Sequence, residues 1–217
     1  MSDYETRRIT MVDTQVRPSD VTKFPIIDAM LTVPRELFVP QGLREAAYAG
    51  RNLDVRPGRV LLEPRTLAKL LDALDIEPDD LVLDIGPWLG YSAAVIARLA
   101  EAVVAVEDDA GRVADAEALL AEIGADNVAM IEGPLDGGAP KHGPYDAIVL
   151  EGAVESVPEA IIDQLKDGGR IGAIFMEGAL GVARVGHKSG GRLSWRYAFN
   201  AAAPTLPGFE AARDFVF

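Results

Sequence analysis

From residue 81 onward, short apolar runs alternate with amphipathic stretches of helical period. LVLDIG (81–86) is a buried-strand run closed by a glycine, and YSAAVIARLA (91–100) carries the spacing of a helix. AVVAVE (102–107) predicts a second strand, DAGRVADAEALLAEIG (109–124) a helix closed by Gly124, and NVAMIEG (127–133) a third strand. YDAIVLEG (145–152) and RIGAIF (170–175) predict two more strands. Between them, PEAIIDQLKDGG (158–169) predicts a helix with proline inside its start and glycines past its end. Strands apolar throughout, separated by helices, imply a parallel sheet covered on both faces. GVARVGHK (181–188) and RLSWRYAF (192–199), joined through Ser189-Gly190-Gly191, predict an antiparallel hairpin added to that sheet. FEAARDFVF (209–217) ends in a strand-like run.

The first 60 residues differ. Pro18, Pro25, Pro34, Pro40 and Pro57 interrupt short helical patterns, one of which opens at Pro25 and places Ile26, Ile27, Met30 and Leu31 on one face. The expected organisation is a helical subdomain or lid over 1–60, followed by one compact unit over 61–217.

Composition narrows the chemistry. Asp and Glu total 34 against 21 Lys and Arg, a formal charge of -13, which disfavours phosphate backbones and anionic lipid as partners. The chain has no cysteine, which excludes disulfides, thiolate nucleophiles and iron–sulfur clusters. Its two histidines, His142 and His187, make a multi-histidine metal site or a His-based triad improbable, so no metal is expected. The start of the chain lacks an apolar leader-like run and no apolar stretch is long enough to span a bilayer, so a cytoplasmic protein is expected.

The candidate chemistry lies at the first strand-to-helix turn, Asp84-Ile85-Gly86-Pro87-Trp88-Leu89-Gly90-Tyr91. Open α/β sheets bind ligands at the carboxyl ends of their strands, and glycines there admit positive φ and close backbone approach. Glu107 ends the second strand, where an acidic side chain can accept hydrogen bonds from both hydroxyls of a ribose. The dinucleotide pattern G-x-G-x-x-G fails, because its second and third glycine positions hold Trp88 and Tyr91. No Walker lysine follows. The loop fits D/E-x-G-x-G-x-G of class I S-adenosylmethionine-dependent methyltransferases, with two of its three glycines present.

Further segments extend that likeness. MVDTQVRP (11–18), VPRELFVP (33–40), the Ala-Tyr of AYAG (47–50), EPRTLAKLLDAL (63–74), LVLDIG with GYSAAVIARLA, and PEAIIDQLKDGGRIGAI together resemble the protein-L-isoaspartate O-methyltransferase family. The resemblance implies a Rossmann-like class I methyltransferase fold, with a seven-stranded, mostly parallel sheet, a C-terminal antiparallel hairpin and an N-terminal helical subdomain. It implies S-adenosylmethionine as cofactor and methyl transfer to the free α-carboxyl of isoaspartyl residues in proteins or peptides, the start of protein repair. Carried over by position, Asp84, Gly86, Trp88, Gly90, Tyr91 and Glu107 would form the cofactor site.

Several positions depart from the family pattern. Its Thr-Ile-Ser run stands here as Val60-Leu61-Leu62, so Leu62 takes the place of the serine regarded as catalytic. Tyr-x-Asp is Tyr48-Ala49-Gly50, the middle loop glycine is Trp88, Gly-Asp after the third strand is Gly133-Pro134, and the small residues after the fourth strand are Glu151 to Glu155. In-line transfer to a carboxylate needs alignment and exclusion of water more than acid–base help. The lost hydroxyl therefore weighs less than the indole of Trp88, which must leave the cleft or fill it. Trp88 and Pro134 both stand against cofactor binding.

Three readings follow: the family's carboxyl methyltransferase, the same fold with a different, more apolar methyl acceptor, and a non-catalytic relative whose pocket Trp88 blocks. Arg51, Arg56, Arg59 and Arg65 offer an anion-binding lip, with Arg59, Val60 and Arg65 as candidate substrate contacts. The competing expectation is that these are scattered surface arginines paired with local acids. Glu63, Glu151 and Glu155 would add negative potential where an anionic isoaspartyl group should sit, or are ordinary solvated carboxylates. Trp195 and Tyr197 read as packing residues on one hairpin face, and both histidines as surface residues. The pattern leaves the oligomeric state open.

Overall fold

The structure, a computed structural model, describes residues 3–211. The chain enters through α1 (Asp3–Met11), continues through a π-helical turn over Val12–Val16, and reaches α2 (Phe24–Thr32), with Pro25 in its first turn. Two 3₁₀ segments, Arg35–Phe38 and Gln41–Ala46, follow. Met11, Val16, Ile27, Met30 and Phe38 are buried in one cluster with the helices that cover the sheet. Beyond the expected helices, β1 (Leu53–Arg56) and β2 (Arg59–Leu61) form an antiparallel hairpin separate from the main sheet. Its tip, Pro57 and Gly58, is exposed, and Gly58 holds φ at +74° to make the turn.

Next comes α3 (Pro64–Leu74), whose Leu67, Leu70, Leu71 and Leu74 form a fully buried stripe. A Cβ at Gly172 would lie 2.9 Å from Leu70 Cδ1, so this helix packs where the sheet carries no side chain. The core then alternates β3 (Leu81–Ile85), α4 (Tyr91–Ile96), β4 (Ala102–Glu107), α5 (Ala110–Glu122), β5 (Val128–Glu132) and β6 (Tyr145–Val154). It closes with α6 (Glu159–Ile162), β7 (Leu165–Glu177), β8 (Leu180–Ser189) and β9 (Arg192–Asn200).

The seven strands order as β5-β4-β3-β6-β7-β8-β9, parallel from β5 to β7 and antiparallel beyond. Leu83, Ile85, Val104, Val106, Ile148 and Leu150 supply one core face, and Val82, Val103, Ala105, Ala147 and Val149 the other. That period of two, apolar on both sides, is why each central strand reads as a continuous hydrophobic run. Strand order reverses between β3 and β6, the switch point at which open α/β sheets bind ligands.

Four expectations need correction. The helix predicted over 158–169 lasts one turn, because Leu165 enters register with Tyr145 and the Gln164 side chain is drawn away to Ala139 N and Gly137 O. The helix predicted over 91–100 ends at Ile96 and continues as turns, whose Ala97 and Glu101 carbonyls accept from Asn127 Nδ2. Tyr197 is 63% exposed and does not pack, whereas Trp195 meets Phe175 edge to face at 4.8 Å. His187 lies half-buried in β8, and burial lowers its pKa, while His142 is exposed as expected.

After β9 the chain returns across the end of β6. Leu206 N donates to Ala153 O at 2.8 Å, and Ala153 N donates to Pro204 O at 2.9 Å. Of the strand-like run expected over 209–217, residues 212–217 lie outside the described residues. Among the described residues no helix is long and apolar enough to cross a membrane.

Candidate active site

The loop between β3 and α4 takes the shape its glycines imply. Gly86 and Gly90 sit at φ +78° and +93°, and Gly90 caps α4. A Cβ at Gly90 would come within 3.3 Å of Leu120 in α5. Trp88 also has positive φ, +60°, a conformation costing a side-chain-bearing residue about 1–2 kcal/mol. Its backbone N–H donates to Glu107 Oε2 at 3.0 Å, which holds it there. The indole does not swing out. It is 9% exposed, with the Arg112 guanidinium 4.9 Å and that of Arg56 5.9 Å from its ring centroid.

Glu107 stands at the carboxyl end of β4, fully buried, and its carboxylate is already engaged. Oε2 accepts from Arg59 Nη2 at 2.8 Å and from Trp88 N. Oε1 accepts from Arg59 Nη1 at 3.1 Å, from Arg112 Nε at 3.1 Å and from Asp108 N at 3.2 Å. Arg59 Nη2 also donates to Gly86 O at 3.0 Å and lies 3.1 Å from where a Gly86 Cβ would be. Arg59, expected at a substrate lip, is therefore 2% exposed and turned inward across the glycine loop. Of the rest of the lip, Arg56 pairs with Asp108 and Arg65 with Glu63, while Arg51 is exposed.

A second acidic centre lies at the ends of β3 and β6. Asp84 Oδ2 accepts from Ser92 Oγ at 2.7 Å, and Oδ1 has no partner among the described residues. Glu151, expected on the surface, is 4% exposed, and its Oε1 likewise lacks a partner. Burial raises the Asp84 carboxyl to about 7, and burial together with Asp84 raises Glu151. Tyr91, fully buried, stacks beneath the guanidinium of Arg35 at 4.6 Å. Arg35 donates to Ala47 O and Leu62 O, both at 2.7 Å.

Leu62 is buried with Val60, Ala153 and Ile174, an apolar wall with no hydroxyl to offer. The Tyr48 hydroxyl donates to the Glu36 carboxylate, a partner in the N-terminal region itself. Glu63 is not a free charge, since its Oε1 accepts from Thr66 Oγ1 at 2.8 Å. Glu155 Oε2 accepts from Ala211 N. Pro134 begins a 3₁₀ turn whose Leu135 joins Leu206 against Gly86.

Sequence reasoning missed three contributors. Arg112 follows Asp108 by one helical turn, and that spacing was the available signal. Asp108 adjoins Glu107 and shares its cations. Arg35 stands beside Glu36 in a segment of apolar, proline-flanked positions, and both charged residues are buried.

The fit to an S-adenosyl cofactor is therefore divided. The backbone provides the seat: a positive-φ glycine loop, a switch-point crevice and an acidic strand end. The side chains fill it. Five donors crowd the two Glu107 oxygens, leaving no acceptor for a ribose diol, and the Arg59 guanidinium covers the glycine that a ligand would approach. In this conformation the residues present do not fit the group.

Comparison with known proteins places the chain. A protein-L-isoaspartate O-methyltransferase 2 of Pelobacter propionicus is 35% identical over 191 residues, 86% of this chain and 85% of that protein. A protein-L-isoaspartate O-methyltransferase of Methanoregula boonei is 38% identical over 164 residues, 76% of each chain. Among solved structures, a protein-L-isoaspartate O-methyltransferase superposes with a TM-score of 0.79 at 25% identity, covering 94% of this chain and 66% of the other. A Plasmodium falciparum structure in complex with S-adenosyl-L-homocysteine superposes at 0.77 over 95% of this chain and 99% of its own, at 17% identity, a likeness of fold. These relatives favour the carboxyl methyltransferase over the other two readings. With its profile matched over residues 8–193, the chain belongs to the protein-L-isoaspartate(D-aspartate) O-methyltransferase family.

Proposed function

We propose that this chain is an S-adenosylmethionine-dependent protein-L-isoaspartate O-methyltransferase, acting on the free carboxyl of isoaspartyl residues in proteins or peptides of the cytoplasm. The observation that carries this reading is the positive-φ Gly86–Gly90 loop at the switch point of a sheet of this family, a backbone seat whose Glu107 carboxylate Arg59 covers. When bound, the cofactor supplies an electrophilic methyl group.

The roles of individual residues belong to the same reading. Asp84, Gly86, Trp88, Gly90, Tyr91 and Glu107 form the cofactor seat, and residues 1–60 act as a lid above it. Val60 and Leu62 wall the acceptor side and exclude water, which suits a transfer governed by alignment. Arg65 borders the acceptor entrance, and Arg35 provides the buried cation nearest Leu62. With Leu62 at the serine position no hydroxyl orients the acceptor, so turnover is slower than a hydroxyl at this position would allow.

The test is methyl transfer from labelled S-adenosylmethionine to an isoaspartyl peptide, with release of volatile methanol from the ester, compared with the aspartyl form of the same peptide. Release specific to the isoaspartyl peptide is the expected result. Equal release from both peptides, or none from either, overturns the reading.

A further inference from the structure

Glu107 and Arg59 are an unusual pair to find at a nucleoside seat. Both are buried, and the guanidinium meets the carboxylate through two roughly parallel bonds, the fork geometry in which this pair is strongest. A ribose offers the same two-point contact through two neutral hydroxyls, which are weaker donors. The guanidinium thus takes the two positions that a diol would occupy.

Two further features make that contact reversible. Arg59 opens β2 immediately after the exposed Pro57-Gly58 tip, on a hairpin with no ladder to the seven-stranded sheet. Arg59 Nη1 also lies 3.5 Å from Asp108 Oδ1, a carboxylate nearer solvent that already attracts Arg56 and Arg112. Asp108 thus stands within reach as a second counter-ion for the guanidinium.

We infer that Arg59 is a built-in latch on the nucleoside seat, occupying the Glu107 carboxylate in the ligand-free chain and leaving toward Asp108 when an adenosine-bearing ligand enters. The inference rests on the methyltransferase reading for the identity of that ligand. Affinity is then set by competition between an internal guanidinium and the ribose. Trp88, held between Arg56 and Arg112, moves with the exchange and reports it.

Calorimetric titration of the full chain with S-adenosylhomocysteine tests the latch. Arg59→Gln removes the charge and keeps a polar side chain, so it is expected to bind about tenfold or more tightly than wild type, as loss of a charge-assisted competitor implies. Arg192→Gln makes the same change of net charge at the exposed start of β9, at the far edge of the sheet from Glu107, and is expected to stay within about twofold of wild type. Hydrogen exchange on the unaltered chain is the second readout and does not depend on a variant folding. Amides over 53–61 are expected to exchange faster when ligand is bound, while those over 84–91 are protected.

Equal affinity of wild type and Arg59→Gln, or greater protection of 53–61 on binding, overturns the latch and leaves the methyltransferase reading intact. Absence of binding by both chains overturns the latch as well. The methyltransferase reading then falls only if the isoaspartyl peptide also yields no methanol.

Discussion

Two acidic centres lie at the carboxyl ends of adjacent strands, equally buried and handled in opposite ways. At the end of β4, Glu107 is surrounded by Arg59, Arg112 and two backbone N–H groups. At the ends of β3 and β6, Asp84 has one hydroxyl donor and Glu151 has a carboxylate oxygen without a partner. At the first centre each carboxylate oxygen accepts from a guanidinium and a backbone N–H. At the second no cation is hydrogen-bonded, and burial raises both carboxyls, with the charges of Arg35 and Arg59 only partly opposing it at Glu151. Burial alone does not decide the state of an acid. The donors within hydrogen-bond reach decide it.

The contrast is sharpest if one partner is removed from the saturated centre. Glu107→Ala lets the Arg59 guanidinium pass to Asp108 but leaves the Trp88 and Asp108 backbone N–H groups without their acceptor, and is expected to cost about 2–3 kcal/mol, read as a lower urea midpoint at unchanged slope. A loss of about 4–5 kcal/mol would mean that the guanidinium stays buried beside the gap and does not pass to Asp108.

The unsaturated centre should show itself through pH. The folded-state pKa of Asp84, about 7, lies above its unfolded value near 4. The stability this group contributes is therefore complete below about pH 4 and is lost as pH rises toward about 7. Asp84→Asn holds the neutral form at every pH. It should flatten that slope and leave the variant more stable than wild type above pH 7, by on the order of 2 kcal/mol. Parallel pH–stability curves for the two proteins would show that Asp84 is charged and compensated after all.

The smallest expected effect is at Trp88. Glycine there relieves the positive-φ strain, worth about 1–2 kcal/mol, but loses the buried indole and its two guanidinium contacts. The opposing effects leave a net loss of about 1 kcal/mol in thermal or urea unfolding. A net gain would mark the indole as a poorly packed plug, while a loss above about 3 kcal/mol would make it a main support of the cluster.

The seven-strand framework was legible because each central strand is apolar on both faces and bounded by glycine, proline or a cap. Gly86, Gly90 and Glu107 were legible for a related reason, since positive φ and an acidic strand end each demand a particular residue at a particular place. The 158–169 helix misled because its composition suits a helix, whereas pairing of Leu165 with Tyr145 is a contact across twenty residues that no local pattern encodes. Glu151 misled likewise: a glutamate in an acidic chain reads as solvated until the end of β6 is seen inside the molecule.

The order of apolar runs and turn residues determined the architecture and located the crevice, because backbone conformation and strand burial are local demands on residue type. Family motifs, carried in consecutive residues, identified the lineage. Only the tertiary structure decided who occupies the crevice. Arg59 meets Glu107 across 48 positions of chain, and a long cation can point to solvent or to a buried anion with equal ease until the surrounding fold removes the water.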